Sequence, residues 1–81
     1  MDPTEFAKLA LSSIPDALKA FVSGKEVVTL HLKSGQTLTG ALTQVGPQLV
    51  HLSELTPNRQ FYDALVQVTE VAALEARVRS K

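Results

Sequence analysis

Cysteine and tryptophan are absent from these 81 residues, and the aromatic complement is three phenylalanines and one tyrosine. Without cysteine there are no disulfides and no thiolate metal sites. No apolar run approaches the length of about 18 residues that a membrane-spanning helix needs. The N-terminus carries Asp2 and Glu5 but no basic stretch, so it does not read as a secretory signal. An excess of either charge is missing too: eight basic and eight acidic residues leave a formal net charge of zero. Nucleic-acid binders usually carry a basic excess that neutralises phosphates, so any such site here is a local patch repeated by symmetry. These absences suit a cytoplasmic protein folded as a single domain over residues 1–81. A domain this small buries only about 60–65% of its unfolded surface and usually needs a staple. With disulfides excluded and no His/carboxylate cluster around His31 or His51 at ligand spacing, oligomerisation is the staple left.

Residues 1–24 read as helical. Asp2 can cap a helix that starts at Pro3, with Glu5 in the capping-box position. Phe6, Leu9 and Ala10 share its apolar face, and Pro15 interrupts it because the residue before a proline avoids the α region. A second helix then carries Ile14, Ala17, Leu18, Phe21 and Val22 on one face, and Gly24 is expected to close it in a left-handed conformation.

Residues 26–79 read as strands. Val28, Leu30 and Leu32 alternate with Val27, Thr29, His31 and Lys33. Lys33 to Gln36 is a tight turn in which Gly35 supplies a positive φ. Leu38, Gly40 and Leu42 continue the inward face, and a glycine on that face marks close backbone approach or a sharp bend. Gly46-Pro47 turns the chain into a third strand from Leu49 to Leu55, and Thr56-Pro57-Asn58 leads to a fourth from Arg59 to Gln67. The stretch from Val71 to Val78 fits a helix by propensity and a strand by alternation. Four short strands would leave the barrel open, so a fifth strand is the reading adopted. Arg77, Arg79 and Lys81 then form a short basic tail.

Catalysis finds no footing: no nucleophile–base order stands out, and there is no phosphate-cradling glycine loop, metal spacing or cofactor motif. Glu54, Asp63, Glu70 and Glu75 are scattered and read as surface charges or subunit-contact partners.

A helix leading into V-x-L-x-L-x-x-G-x-x-L-x-G-x-L, here Val28 to Leu42, resembles the Sm-like family, which includes the bacterial Hfq proteins. Leu32, Gly35, Gly40 and Leu42 carry the motif, Val45 and Leu49 match further apolar positions, and the resemblance covers roughly residues 14–79. It implies a mainly β chain: a five-stranded, strongly bent antiparallel SH3-like barrel behind an N-terminal helix. It also implies a homo-oligomeric ring, a hexamer or heptamer, in which the fourth strand of one subunit pairs with the fifth of the next. Phe61, Tyr62, Val71 and Leu74 are the expected interface residues.

In that family, RNA is held by the loops after the second and fourth strands. At the first, Gly46 stands where an aspartate is usual, and no aromatic or asparagine follows. At the second the usual Arg-Gly or Lys-His dipeptide is missing, and Phe61-Tyr62-Asp63 are placed nearby. Gln48 remains beside the expected base pocket. His31 falls where Hfq proteins place an aromatic on the opposite face of the ring, and with Gln36 and Thr39 it would form a second, purine-stacking surface. The candidate RNA contacts are therefore Gln48, His31, Gln36, Thr39 and Tyr62. His51 reads as a half-buried structural residue. Three functions follow: a ring that binds single-stranded RNA through a degenerate uridine pocket, a structural or protein-interaction ring that has lost RNA binding, and a monomeric SH3-like module of a larger assembly.

Overall fold

The computed structural model describes residues 2–24, 26–59 and 61–79. Helix α1 spans Pro3–Lys8 and continues as a 3-10 turn over Leu9–Leu11; helix α2 spans Ile14–Lys19. Five strands follow: β1 Val27–Leu32, β2 Thr37–Val45, β3 Leu49–Thr56, β4 Ala64–Gln67 and β5 Val71–Ala76. They form one antiparallel sheet in the order β4-β3-β2-β1-β5. This is the mainly β, helix-led, five-stranded architecture expected from the alternation, and the stretch after Val71 is a strand, paired along β1 from Val28↔Ala76 to Leu32↔Val71.

The helices begin where short polar side chains satisfy their free N–H groups. Asp2 accepts the N–H of Glu5 at 2.8 Å, and Ser13 accepts that of Asp16 at 3.4 Å. Their ends correct the sequence reading at Gly24. Helix α2 stops at Lys19 with Ala20 as its right-handed cap, a series of turns carries the chain to β1, and Gly24 has no positive φ. Leu18 and Phe21 are fully buried against the sheet, and Phe6 meets the Phe21 ring edge-on with centroids 5.9 Å apart.

The inward faces of the strands supply the rest of the core: Val28 and Leu30 from β1, Leu42 from β2, Val50 and Leu52 from β3, Val66 from β4. The sheet wraps this core by means of two bulges in the β2–β3 ladder. Opposite Gly40, β3 inserts an extra residue: Thr39 pairs with Thr56 and Ala41 with Ser53, leaving Glu54 and Leu55 against the one glycine. Glu54 takes up the kink with φ +52°. A Cβ on Gly40 would lie 2.9 Å from the Ser53 carbonyl oxygen and 3.1 Å from Leu55 Cδ2, so the close approach that the inward glycine announced is real. In the second bulge β2 carries the surplus, with Thr43 falling between the pairs Leu42↔Leu52 and Gln44↔His51. Gly35, at φ +97°, turns β1 into β2.

The fourth strand is shorter than the sequence suggested. Arg59 forms only an isolated bridge with Leu55, and Phe61 to Asp63 precede β4 as a turn closed by the Tyr62 N–H on the Arg59 carbonyl at 2.9 Å. Of the expected segments, Gln60 in the fourth strand and Lys81 in the basic tail lie outside the described residues.

Candidate nucleic-acid interface

The loops after β2 and β4 meet. The Gly46-Pro47-Gln48 turn leaves β2, and a 3-10 turn over Val68–Glu70 joins β4 to β5. The Val68 N–H donates to the Gln48 carbonyl at 2.9 Å, and the Gly46 N–H donates to the Leu49 carbonyl at 2.8 Å. Between the loops runs an open cleft of about 440 Å³ lined by Pro47, Gln48, Leu49, Gln67 and Thr69. Its polar equipment is two primary amides and a hydroxyl. Both amides offer donors and acceptors, so together they can match the edge of a nucleobase. Among the described residues no cation and no aromatic ring lines it.

This arrangement corrects the placement of Phe61-Tyr62-Asp63 at the second loop. They stand at the head of β4, and the loop after β4 holds Thr69 and Glu70 instead. Gln67 and Thr69 were not singled out in the sequence, although ending the fourth strand at Gln67 already pointed to them. Of the five candidate contacts, only Gln48 lies in this cleft. His31 and Thr39 belong to the β1–β2 hairpin, Gln36 to its turn, and Tyr62 to the turn before β4.

His31 is engaged by the Glu75 carboxylate on the neighbouring strand β5. The Thr39 hydroxyl shares a 2.8 Å hydrogen bond with Thr29. That surface presents a carboxylate beside the His31 ring, which disfavours phosphate. Tyr62 carries the Arg59 guanidinium 5.1 Å from its ring centroid. Of the expected interface residues, Phe61 and Tyr62 are exposed, Leu74 is partly buried on β5, and Val71 is buried in the core.

His51 ties both bulges together. Its Nδ1 meets the Thr43 hydroxyl, and its Nε2 lies 3.0 Å from Asp63 Oδ2. Asp63 Oδ1 in turn accepts the Glu54 N–H at 3.2 Å. Because an ionised carboxylate only accepts, it is Nε2 that donates to Asp63, while the Thr43 hydroxyl also lies 3.3 Å from the His51 carbonyl oxygen. The hydrogen bond from His51, and after it that from the Glu54 backbone, holds the Asp63 carboxyl below its ordinary value. Asp63 and Glu75, read from the sequence as scattered charges, are thus each paired with a histidine. Among the described residues no three His, Asp or Glu side chains converge as metal ligands would, and no helix is long and apolar enough to cross a membrane.

Neither a protein-family model nor a curated protein matches this chain. Solved structures do. One is the pleiotropic translational regulator Hfq, 20% identical with a TM-score of 0.61, the match covering 75% of this chain and 93% of that one. Another is the SmAP (LSm) protein from Methanococcus vannielii, 24% identical with a TM-score of 0.61, covering 74% of this chain and 88% of that one. The fold is Sm-like. At these identities the likeness is one of backbone, and it reaches nearly the full length of both neighbours. Within the Sm-like fold, the Gln48–Gln67 cleft sits where the loops after β2 and β4 converge.

Proposed function

We propose that this chain assembles into a homo-oligomeric Sm-like ring, a hexamer or heptamer, that binds single-stranded RNA through the neutral cleft between its two loops. The observation carrying this is the union of the loops themselves: Val68 bonded to Gln48, with the amides of Gln48 and Gln67 and the Thr69 hydroxyl on one cleft. Such a site reads base edges and gains little from phosphates. The open edges β4 and β5 support the ring, because unpaired edge strands call for a partner and a head-to-tail contact that closes satisfies both. The resemblance to Hfq and to an archaeal LSm protein is of the same kind.

Titration of labelled U and A homopolymers at low salt tests the reading. Binding with a shallow dependence on salt is expected, since few phosphates are neutralised. No binding to either homopolymer sinks it.

A second reading, a ring that interacts only with proteins, draws on the acidic Glu70 in the second loop and on a cleft lining that, among the described residues, holds no Lys or Arg. Nucleic acid carried through purification, seen as a raised 260/280 absorbance ratio, would count against it.

A further inference from the structure

We propose that Phe61 of one copy seats in a cleft at the opposite sheet edge of the next copy, where Val27, Thr29, Ala76 and Arg77 receive it. The proposal rests on the ring reading above and names the side-chain lock that would hold it.

Phe61 is 100% exposed at the head of β4. Burying a phenylalanine removes roughly 150–250 Å² from water, so a ring left wholly in solvent at a sheet edge is the natural anchor of a contact. None of the described residues covers it, and the Tyr62 N–H on the Arg59 carbonyl closes the turn in which it stands. At the other end of the sheet, the start of β1 and the end of β5 enclose an open cleft of about 320 Å³. Val27, 58% exposed, is its apolar side chain; Thr29, Glu75 and Arg77 also line it, Ala76 lies beside the buried Val28 on the strand that borders it, and the Glu75 carboxylate is engaged by His31.

Strand direction brings the two together. Every pairing within the sheet is antiparallel. Continued into a second copy, the same pattern sets the head of β4 beside the tail of β5, which is where the knob and the cleft are. Charge selects the same direction. Glu54 and Asp63 flank the head of β4, whereas Arg77 and Arg79 follow the tail of β5. Antiparallel pairing sets those carboxylates by Arg77 and Arg79, with the nearby Glu75 already engaged by His31, whereas parallel pairing would set them beside Glu70 at the head of β5, and like charges at an interface are penalised. The Arg77 guanidinium over the incoming Phe61 ring adds a cation–π contact.

The absence of cysteine from the natural chain makes a direct test available. The full-length double variant Phe61→Cys/Arg77→Cys, which joins the head of β4 to the tail of the edge strand β5, is oxidised and run on a non-reducing gel, with each single variant beside it. A disulfide forms only when Cα atoms come within about 7 Å. Head-to-tail seating gives a ladder of crosslinked copies in the double variant and at most dimers in the singles. Light scattering on the wild type and on Phe61→Ser accompanies it, with circular dichroism to check that the variant keeps its strands. Wild-type rings with a ladder and a Phe61→Ser dissociation constant raised by about tenfold or more support the lock. Wild-type rings with no ladder and unchanged Phe61→Ser assembly overturn the lock and leave the ring standing. A wild type that stays near the mass of one chain overturns both.

Discussion

Asp63 supplies the hydrogen-bond acceptor that Glu54 lacks, its Oδ1 lying 3.2 Å from the N–H of the residue at the β3 bulge. A bulge leaves an N–H outside the ladder, and burying or straining such a group costs stability unless something accepts it. The other carboxylate oxygen holds His51, which holds Thr43 in the second bulge. Two irregularities on two strands thus share one carboxylate.

That arrangement sets a pH dependence. The folded-state pKa of Asp63 lies below its ordinary value of 3.8. Its contribution to stability is therefore complete above that value and is lost as pH falls through the folded-state value below it. Thermal unfolding of the wild type and Asp63→Asn between pH 2 and pH 6 checks this: the gap between their melting temperatures should be widest near pH 6 and narrow toward pH 2. A constant gap would mean that the carboxylate's charge is irrelevant.

The glycines of the hairpin should fail for different reasons. Gly40→Ala sets a methyl 2.9 Å from the Ser53 backbone oxygen, which cannot swing aside. Overpacking of this kind costs about 1–3 kcal/mol, and each kcal/mol lowers the melting temperature by about 4–8 °C in a domain this small. Gly35→Ala meets no atom within 4 Å and strains only the backbone at φ +97°. It should cost about 1 kcal/mol, near the left-handed penalty for a side chain. Urea unfolding of both variants separates the two cases.

The RNA reading divides the candidate residues. Gln48→Ala and Gln67→Ala each remove neutral hydrogen bonds worth about 0.5–1.5 kcal/mol, or roughly two- to tenfold in affinity. His31→Ala, on the hairpin face occupied by Glu75, should leave homopolymer binding unchanged. Fluorescence anisotropy with labelled oligonucleotides reads all three. A large loss confined to His31→Ala would move the site to the opposite face.

Phe21 joins the helical segment to the sheet, buried beneath α1 and in edge contact with Phe6. Phe21→Ala should cost about 3–5 kcal/mol, a large share of the roughly 5–15 kcal/mol that stabilises a small domain. The midpoint of denaturant unfolding should fall accordingly.

The hairpin from Val28 to Leu42 was legible in the sequence because its information is local: alternation, a turn glycine and an inward glycine stand within one short stretch. The fifth strand was legible by sheet closure, against its helical propensity. Gly24 misled because a glycine after an amphipathic run imitates a cap, while the helix had already ended at Lys19. The residues from Arg59 to Asp63 misled because aromatics favour strands; Asp63 instead reaches back to Glu54 and His51, contacts nine and twelve residues away that no local pattern encodes. His31 and Glu75 are separated by 44 residues, so their pairing was invisible as well. The cleft was half legible, with Gln48 recognised and Gln67 and Thr69 hidden by the misplaced second loop.

The bend at Gly40 has a geometric reach beyond its own strand. It lies in the ladder that joins β4 and β3 to the other half of the sheet, so it helps to set the angle between the outermost strands. For copies joined edge to edge in a planar cycle, that wedge angle multiplied by the number of copies must make a full revolution. In the proposed ring, a missing Cβ at a single position would therefore help to fix how many copies close the cycle, and spoiling the kink would turn a closed object into an open filament.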